Sequence, residues 1–223
     1  MGIRAYLAAM AAVLLVPLVV LSGFGLDRLL RAERASAIRG VLETARTVSL
    51  AVDQELVSAE AALRVLATSV HLAAGDWGAF HAQARVARTN DAASVLLYEP
   101  DGRVILDTRR PYAEGPSSHA YAQAVGSALQ NGQVSVSGIQ RSPETQQFVI
   151  LVAVPVQLDA GRYVVAQAID VSHFQRVFAE RKVPSEWIVG VYDRDHLVVA
   201  RSPRAQEMVG KPGADAIRQA ALD

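Results

Sequence analysis

Cysteine is absent from this chain, which excludes a disulfide framework, thiolate catalysis and cysteine-bound zinc together. Aromatic residues are sparse, at 6%, so any core must be built mainly from aliphatic side chains. Neither sign of charge dominates: Lys+Arg and Asp+Glu both number 22. No stretch carries the dense basic stripe that a phosphate backbone requires, and nothing points to nucleic acid as a partner. Enzymatic signatures are missing as well. There is no HExxH, no GxSxG and no glycine-rich phosphate loop, and Gly210-Lys211-Pro212-Gly213 lacks the spacing and the hydroxyl of a P-loop. The five histidines are scattered through different elements, with no pair at a ligand spacing. Asp193-Arg194-Asp195-His196 sits between two apolar runs and reads as a hairpin turn rather than a set of metal ligands, because Asp favours turns by bonding its own backbone. No catalytic residue, metal site or cofactor is expected.

What is present is a succession of three textures. Residues 5–26 carry no charge, are bracketed by Arg4 and Asp27, and match the roughly 20 residues that cross a bilayer. A secretory signal peptide is the rival reading, but its apolar core is about 7–15 residues and is followed by a small-residue cleavage site. Here the run is longer and continues into a helical pattern, so a retained anchor is expected. Pro17 does not oppose this, since transmembrane helices absorb kinks. The arginines conflict with an external head: only Arg4 precedes the span, whereas Arg28, Arg31, Arg34 and Arg39 follow it, and the positive-inside rule alone would leave the rest cytoplasmic.

From Ile38 the residues Leu42, Ala45, Ser49, Val52, Leu56, Ala59, Leu63, Leu66 and Val70 alternate spacings of four and three, a heptad seam broken only by Ser49. One reading is a helix laid lengthwise on its own domain; the other is a parallel coiled coil that makes a homodimer beside the membrane. Gly75-Asp76 is expected to end this helix, and a shorter one follows at 77–88.

Strand patterns then take over. Residues 94–98 and 103–108 flank Glu99-Pro100-Asp101-Gly102, a turn in which Pro sets φ and Gly frees the backbone. A helix is predicted over 119–130 and a strand over 133–139. Strands over 148–156 and 163–169 follow, and then a helix from Val171 that stops at Pro184. Strand, strand, helix, three strands predicts an α+β domain, an antiparallel sheet with helices on one side. The hairpin at 192–198 repeats the pattern at 98–104, which suggests an internal duplication.

These segments together resemble a family. A span followed by ARTVSLAVDQELVSAEAALRVLATS, then AGDWGAFHAQARVA, VLLYEPDGRVILDTRRPY, VPVQLDAGRYVVAQAIDVSHFQRVFAERKVP and WIVGVYDRDHLVVARSP, is similar to the double-Cache extracytoplasmic sensor region of bacterial receptors, especially alphaproteobacterial sensor histidine kinases. The resemblance covers nearly the whole chain. It implies a cytoplasmic N-terminus at 1–4, a transmembrane helix at 5–26 and a long stalk helix at 27–74. A membrane-distal PAS-like subdomain at 75–183 and part of a membrane-proximal one at 184–223 would follow. The head would then be periplasmic and anchored in the inner membrane, against the arginine count. A signal-transduction role is implied, with a two-component histidine kinase transmitter as output; a cyclase or chemotaxis output, or a stand-alone tethered binding protein, is the alternative. Family members continue past the point matching Val198 to complete the second sheet, re-enter the membrane and reach a transmitter, so the output is expected to be absent from these residues.

The resemblance also implies a small-molecule ligand, a carboxylate or amino acid, in the first subdomain. Arg109-Arg110-Pro111-Tyr112 loosely resembles the Arg-x-Trp-Tyr signature of amino-acid-binding members, with Pro in place of Trp, and Asp170 matches the aspartate that closes the last strand. Candidate ligand-binding residues are therefore Arg109, Arg110, Tyr112, Tyr121 and Asp170. Arg offers a planar fork to a carboxylate and Asp accepts from an ammonium. Asp170 also stands at a helix start, where capping alone would account for it, and Tyr121 and Phe148 fit a packed core as well as a cavity wall.

Overall fold

The computed structural model describes residues 3–112, 121–180, 183 and 187–213. The chain divides into two compact units, Met1–Arg46 and Thr47–Asp223. Helix α1 (Ile3–Ala67) supplies all described residues of the first unit. Among the described residues no helix is long and apolar enough to cross a membrane. The side chains of residues 5–26, on which the expected span rests, lie outside the described residues.

The heptad seam divides by burial. Ile38 and Leu42 are 61% and 63% exposed, whereas Val52, Ala59, Leu63 and Leu66 are buried and join the core of their own unit. From Val52 to Leu66 the pattern therefore serves burial within the chain. The expected helix to residue 74 is also interrupted. α1 stops at Ala67, Thr68 turns its hydroxyl onto the Val65 carbonyl, and Ser69 caps a new short helix, α2 (Val70–Ala73), by accepting from the His71 amide. Two adjacent hydroxyl residues compete for the backbone there. Asp76 caps α3 (Trp77–Val86) through the Ala79 amide.

Strands β1 (Ala93–Tyr98) and β2 (Val104–Asp107) form the expected hairpin. Next come α4 (Ala122–Asn131), β3 (Ser135–Val136), β4 (Gln140–Arg141), β5 (Phe148–Leu158), β6 (Gly161–Asp170) and α5 (Val171–Glu180). The sheet runs β2-β1-β6-β5-β3, antiparallel throughout, with β4 also on β5. The helix expected from 119 begins at Ala122, after Tyr121 in the left-handed region; residues 119 and 120 lie outside the described residues. The strand expected over 133–139 is two short pieces. Between them the Ser137 hydroxyl takes the Leu151 amide hydrogen at 2.9 Å, so a side chain replaces a ladder carbonyl and the pairing breaks.

Alternation sorts each central strand onto two faces. Val95, Leu97, Val152, Val154, Val165 and Ile169 meet α1, α3 and α5, through Leu63, Phe80, Phe174 and Phe178 among others. Leu96, Tyr98, Leu151, Ala153, Ala166 and Ala168 meet Val125 and Ala128 of α4. Helices thus cover both faces, not one as expected; α4 supplies the second layer because β1, β5 and β6 are apolar on both sides.

A second hairpin, β7 (Val189–Tyr192) with β8 (Val198–Ser202), precedes α6 (Ala205–Met208). It repeats the first closely. Tyr98 pairs with Val104 and Tyr192 with Val198, each next to a register shift. Glu99 and Asp193 each donate their amide to a carbonyl four residues on, at 2.9 and 3.0 Å. His196, with φ of 59°, stands where Gly102, with φ of 86°, stands in the first copy.

Candidate functional site

On the α4 face of the sheet, one end is lined by small residues. Ser94 pairs with Ala168 across β1 and β6, and Val149 pairs with Asp170 across β5 and β6. With no large side chain there, a cavity of about 250 Å³ opens, lined by those four residues together with Arg88, Asp91, Ala92, Ala93, Arg109, Thr145, Gln147 and Ser172. Arg109 and Asp170 are thus brought into one cavity from segments 61 positions apart in sequence.

Arg109 is fixed by its neighbours. Its backbone amide donates to Asp107 Oδ1 at 2.9 Å, its Nε lies 3.6 Å from the same oxygen, and its Nη1 donates to Ser142 Oγ at 3.4 Å. The last is a long, weak hydrogen bond. Burial pulls the guanidinium's pKa down, but Asp107, Tyr121 and Glu144 outweigh it, so the pKa stands above the ordinary arginine value. Asp107 behaves oppositely for a carboxylate beside an arginine. Burial pushes its pKa above the usual range, against the lowering effects of the Arg109 amide and guanidinium. Tyr98, buried on the same face, has its phenol pushed far up, first by burial and then by Tyr121, and stays neutral.

The raised Asp107 value has a measurable sign. The folded chain holds this proton to higher pH than the unfolded chain, whose aspartates titrate near about 3.9. Its stabilising contribution is complete below that pH and is lost as pH rises through the raised folded value. Urea unfolding across a pH series should show the parent losing stability relative to Asp107→Asn through this window and levelling above it. A parent that gains on the variant as pH rises would mean that the Arg109 pair, not burial, governs this carboxylate.

Three buried polar atoms in this neighbourhood lack a hydrogen bond of ordinary geometry: Ser94 Oγ, Arg109 Nε, which keeps its 3.6 Å ion pair with Asp107, and Tyr121 Oη, which keeps the Arg109 guanidinium as its neighbour. All three can donate, and such groups are costly to leave unpaired. On the acidic side, Asp170 Oδ1 takes the Ser172 amide hydrogen at 2.7 Å, so Asp170 both caps α5 and lines the cavity. The two readings of this residue are compatible.

The remaining candidates separate. Arg110 turns to Glu144, with Nη2 2.8 Å from Oε1, and its carbonyl meets His81 Nε2 at 2.9 Å. Tyr112 is 47% exposed and lies against the His81 ring. Neither lines the cavity. Tyr121 is buried in the α4-side core beside Arg109. Phe148 carries the Arg141 guanidinium 4.3 Å from its ring centroid and packs on the opposite core. Sequence reasoning missed Ser94, Asp91, Arg88 and the Ser142–Glu144 turn, none of which stands out by residue type or spacing. Among the described residues no group of three or more His, Asp or Glu could hold a metal ion.

The long helix, the antiparallel sheet with helices on both faces and the cavity at its end can be compared with solved structures. The ligand-binding domain of the Campylobacter jejuni chemoreceptor Tlp3 in complex with L-valine is 15% identical, with TM-score 0.57, over 81% of this chain and 75% of that one. The chain has the fold of chemoreceptor ligand-binding domains. A methyl-accepting chemotaxis protein X matches with TM-score 0.61 at 14% identity, over 82% of each chain. The ligand-binding domain of the Pseudomonas aeruginosa PAO1 amino-acid chemoreceptor PctB, in complex with L-Arg, matches with TM-score 0.54 at 16% identity, over 76% of this chain and 70% of that one. At such identities the likeness shows the fold, which is the α+β fold that the sequence resemblance implies. No protein-family model and no curated protein sequence matches the chain.

Proposed function

We propose that this chain is the ligand-sensing input region of a bacterial transmembrane receptor, and that the cavity between Arg109 and Asp170 receives a small molecule carrying both a carboxylate and an ammonium. The observation that carries this reading is the placement of both groups in one cavity, with a buried hydroxyl at Ser94, also in its lining, that has no hydrogen-bond partner. A carboxylate would accept from the Ser94 hydroxyl and the Arg109 guanidinium, and Asp170 Oδ2, which has no hydrogen-bond partner among the described residues, would accept from an ammonium. That two of the solved relatives were crystallised with L-valine and L-Arg supports an amino acid as the ligand class. Residues 5–26 would anchor the chain in the inner membrane with the head in the periplasm. The exposed Ile38–Leu42 part of the seam would form a homodimer stalk. A histidine kinase transmitter is the output favoured by the sequence resemblance. A methyl-accepting output is the second reading, favoured by the chemoreceptor relatives.

The test is Asp170→Ala in the full chain in detergent micelles, with L-amino acids screened by thermal shift. The variant is expected to fold, to lose about 1 kcal/mol from the α5 cap, and to lose the thermal stabilisation that the parent gains from its ligand. Equal stabilisation of variant and parent would remove Asp170 from the site.

A further inference from the structure

The two charged walls of the cavity are each tied, through a few residues, to the β7–β8 hairpin. From Arg109 the tie runs to Ser142 Oγ, which directly follows β4. At the other side of β4, the Ile139 amide donates to Asp193 Oδ2 at 2.9 Å. Asp193 holds the hairpin's turn with its other oxygen, accepting from the Asp195 and Leu197 amides at 3.0 and 2.9 Å. Arg194 donates to the Val136 carbonyl beside it. From Asp170 the tie runs through the Ser172 amide into α5. One turn on, Gln175 forms a two-way amide pair with β8: Nε2 donates to the Arg201 carbonyl at 2.9 Å, and the Arg201 amide donates to Oε1 at 3.1 Å.

We infer that the hairpin is the element that reports occupancy of the cavity, gripped at its turn by the Arg109 side and at β8 by the Asp170 side. The inference rests on the ligand-sensing reading above and assigns its regulation. A two-stranded sheet is marginally stable alone, so the position of this one depends on what holds it. An incoming carboxylate competes with Ser142 for the guanidinium, and a two-donor pair between opposite charges is stronger than the single long bond to a hydroxyl that it displaces. An ammonium on Asp170 draws on the carboxylate that caps α5. A ligand spanning both groups therefore resets both grips together, and by linkage the docked state of the hairpin sets the affinity of the cavity. Contiguity alone is not coupling, so the test must read the hairpin itself.

Amide hydrogen exchange on the full chain in detergent micelles, without ligand, compares the parent with Arg109→Met and Asp170→Asn. Arg109→Met is expected to speed exchange at residues 136–142 and 193–197 on the order of fivefold or more. Asp170→Asn does the same at 172–175 and 198–202, while Leu97 and Val165 in the central strands keep the parent rate. Unchanged exchange of the hairpin in both variants would overturn the inference. Should Arg109→Met fail to fold, Ser142→Ala removes only the linking hydroxyl and carries the same expectation. L-Alanine, the probe for the parent, separates this inference from the reading beneath it. Protection around Arg109 and Asp170 with an unchanged hairpin sinks the coupling alone. A hairpin that responds to the variants, with no amino acid bound by the parent, supports the coupling and sinks the ligand class.

Discussion

Replacing Phe174 by alanine is expected to lower the unfolding free energy of the Thr47–Asp223 unit by about 3–5 kcal/mol, the usual cost of emptying a buried aromatic site. Phe174 is fully buried. It stands with Val171 and Phe178 on one face of α5, at spacings of three and four, and this stripe enters the core that also holds Leu63 of α1, Ile169 of β6, and Val199 and Ala200 of β8. The side chain therefore touches a core shared by the main sheet and the second hairpin, and no single neighbour can move in to fill the void. With total stabilities of about 5–15 kcal/mol, the loss is a large fraction of what holds this unit together. Urea unfolding should show a lower midpoint with an unchanged slope, the mark of lost stability rather than an altered unfolded state. A cost below about 1 kcal/mol would mean that α5 packs loosely and cannot carry the cap at Asp170 to Gln175 as a rigid element.

How far the sequence could be read depended on whether a feature was local. The turn at Pro100 and Gly102, the continuous apolar run of β5 and the repeated hairpin at 192–198 were legible, because each is set by neighbours a few residues apart. The order β2-β1-β6-β5-β3 was not, since it depends on pairings between distant segments, and neither was the placement of α4 on its own face. The heptad seam left two readings open because periods of 3.5 and 3.6 coincide over a few turns: from Val52 onward the same stripe fits a sheet as well as a partner helix. At the site, Arg109 and Asp170 line one cavity, whereas Arg110, Tyr112 and Tyr121 do not line it. A motif fixes positions along the chain but not directions. Ser142 and Glu144 could not have been found, for their roles exist only once β4 is laid beside β5.

Arg109→Met is expected to cost about 2–5 kcal/mol in the affinity for a carboxylate-bearing ligand, the range seen when one member of a buried, hydrogen-bonded charge pair is truncated. That is on the order of 30-fold or more in the dissociation constant. Methionine roughly keeps the volume of the side chain and removes both the charge and the planar fork. The substitution also takes away the nearest cation from Asp107, whose pKa is already raised by burial, so the variant should hold the Asp107 proton to still higher pH and lose stability at neutral pH. Affinity and stability must therefore be measured separately, by titration calorimetry with L-amino acids at temperatures well below unfolding. Arg109→Lys divides the two contributions: it keeps a cation beside Asp107 but cannot offer two parallel donors to a carboxylate. Affinities should fall in the order parent, lysine, methionine, while stability in the lysine variant stays nearer the parent. If the methionine variant binds as tightly as the parent, Arg109 serves only as the counterion of Asp107, and the buried Ser94 hydroxyl would have to answer to a neutral ligand.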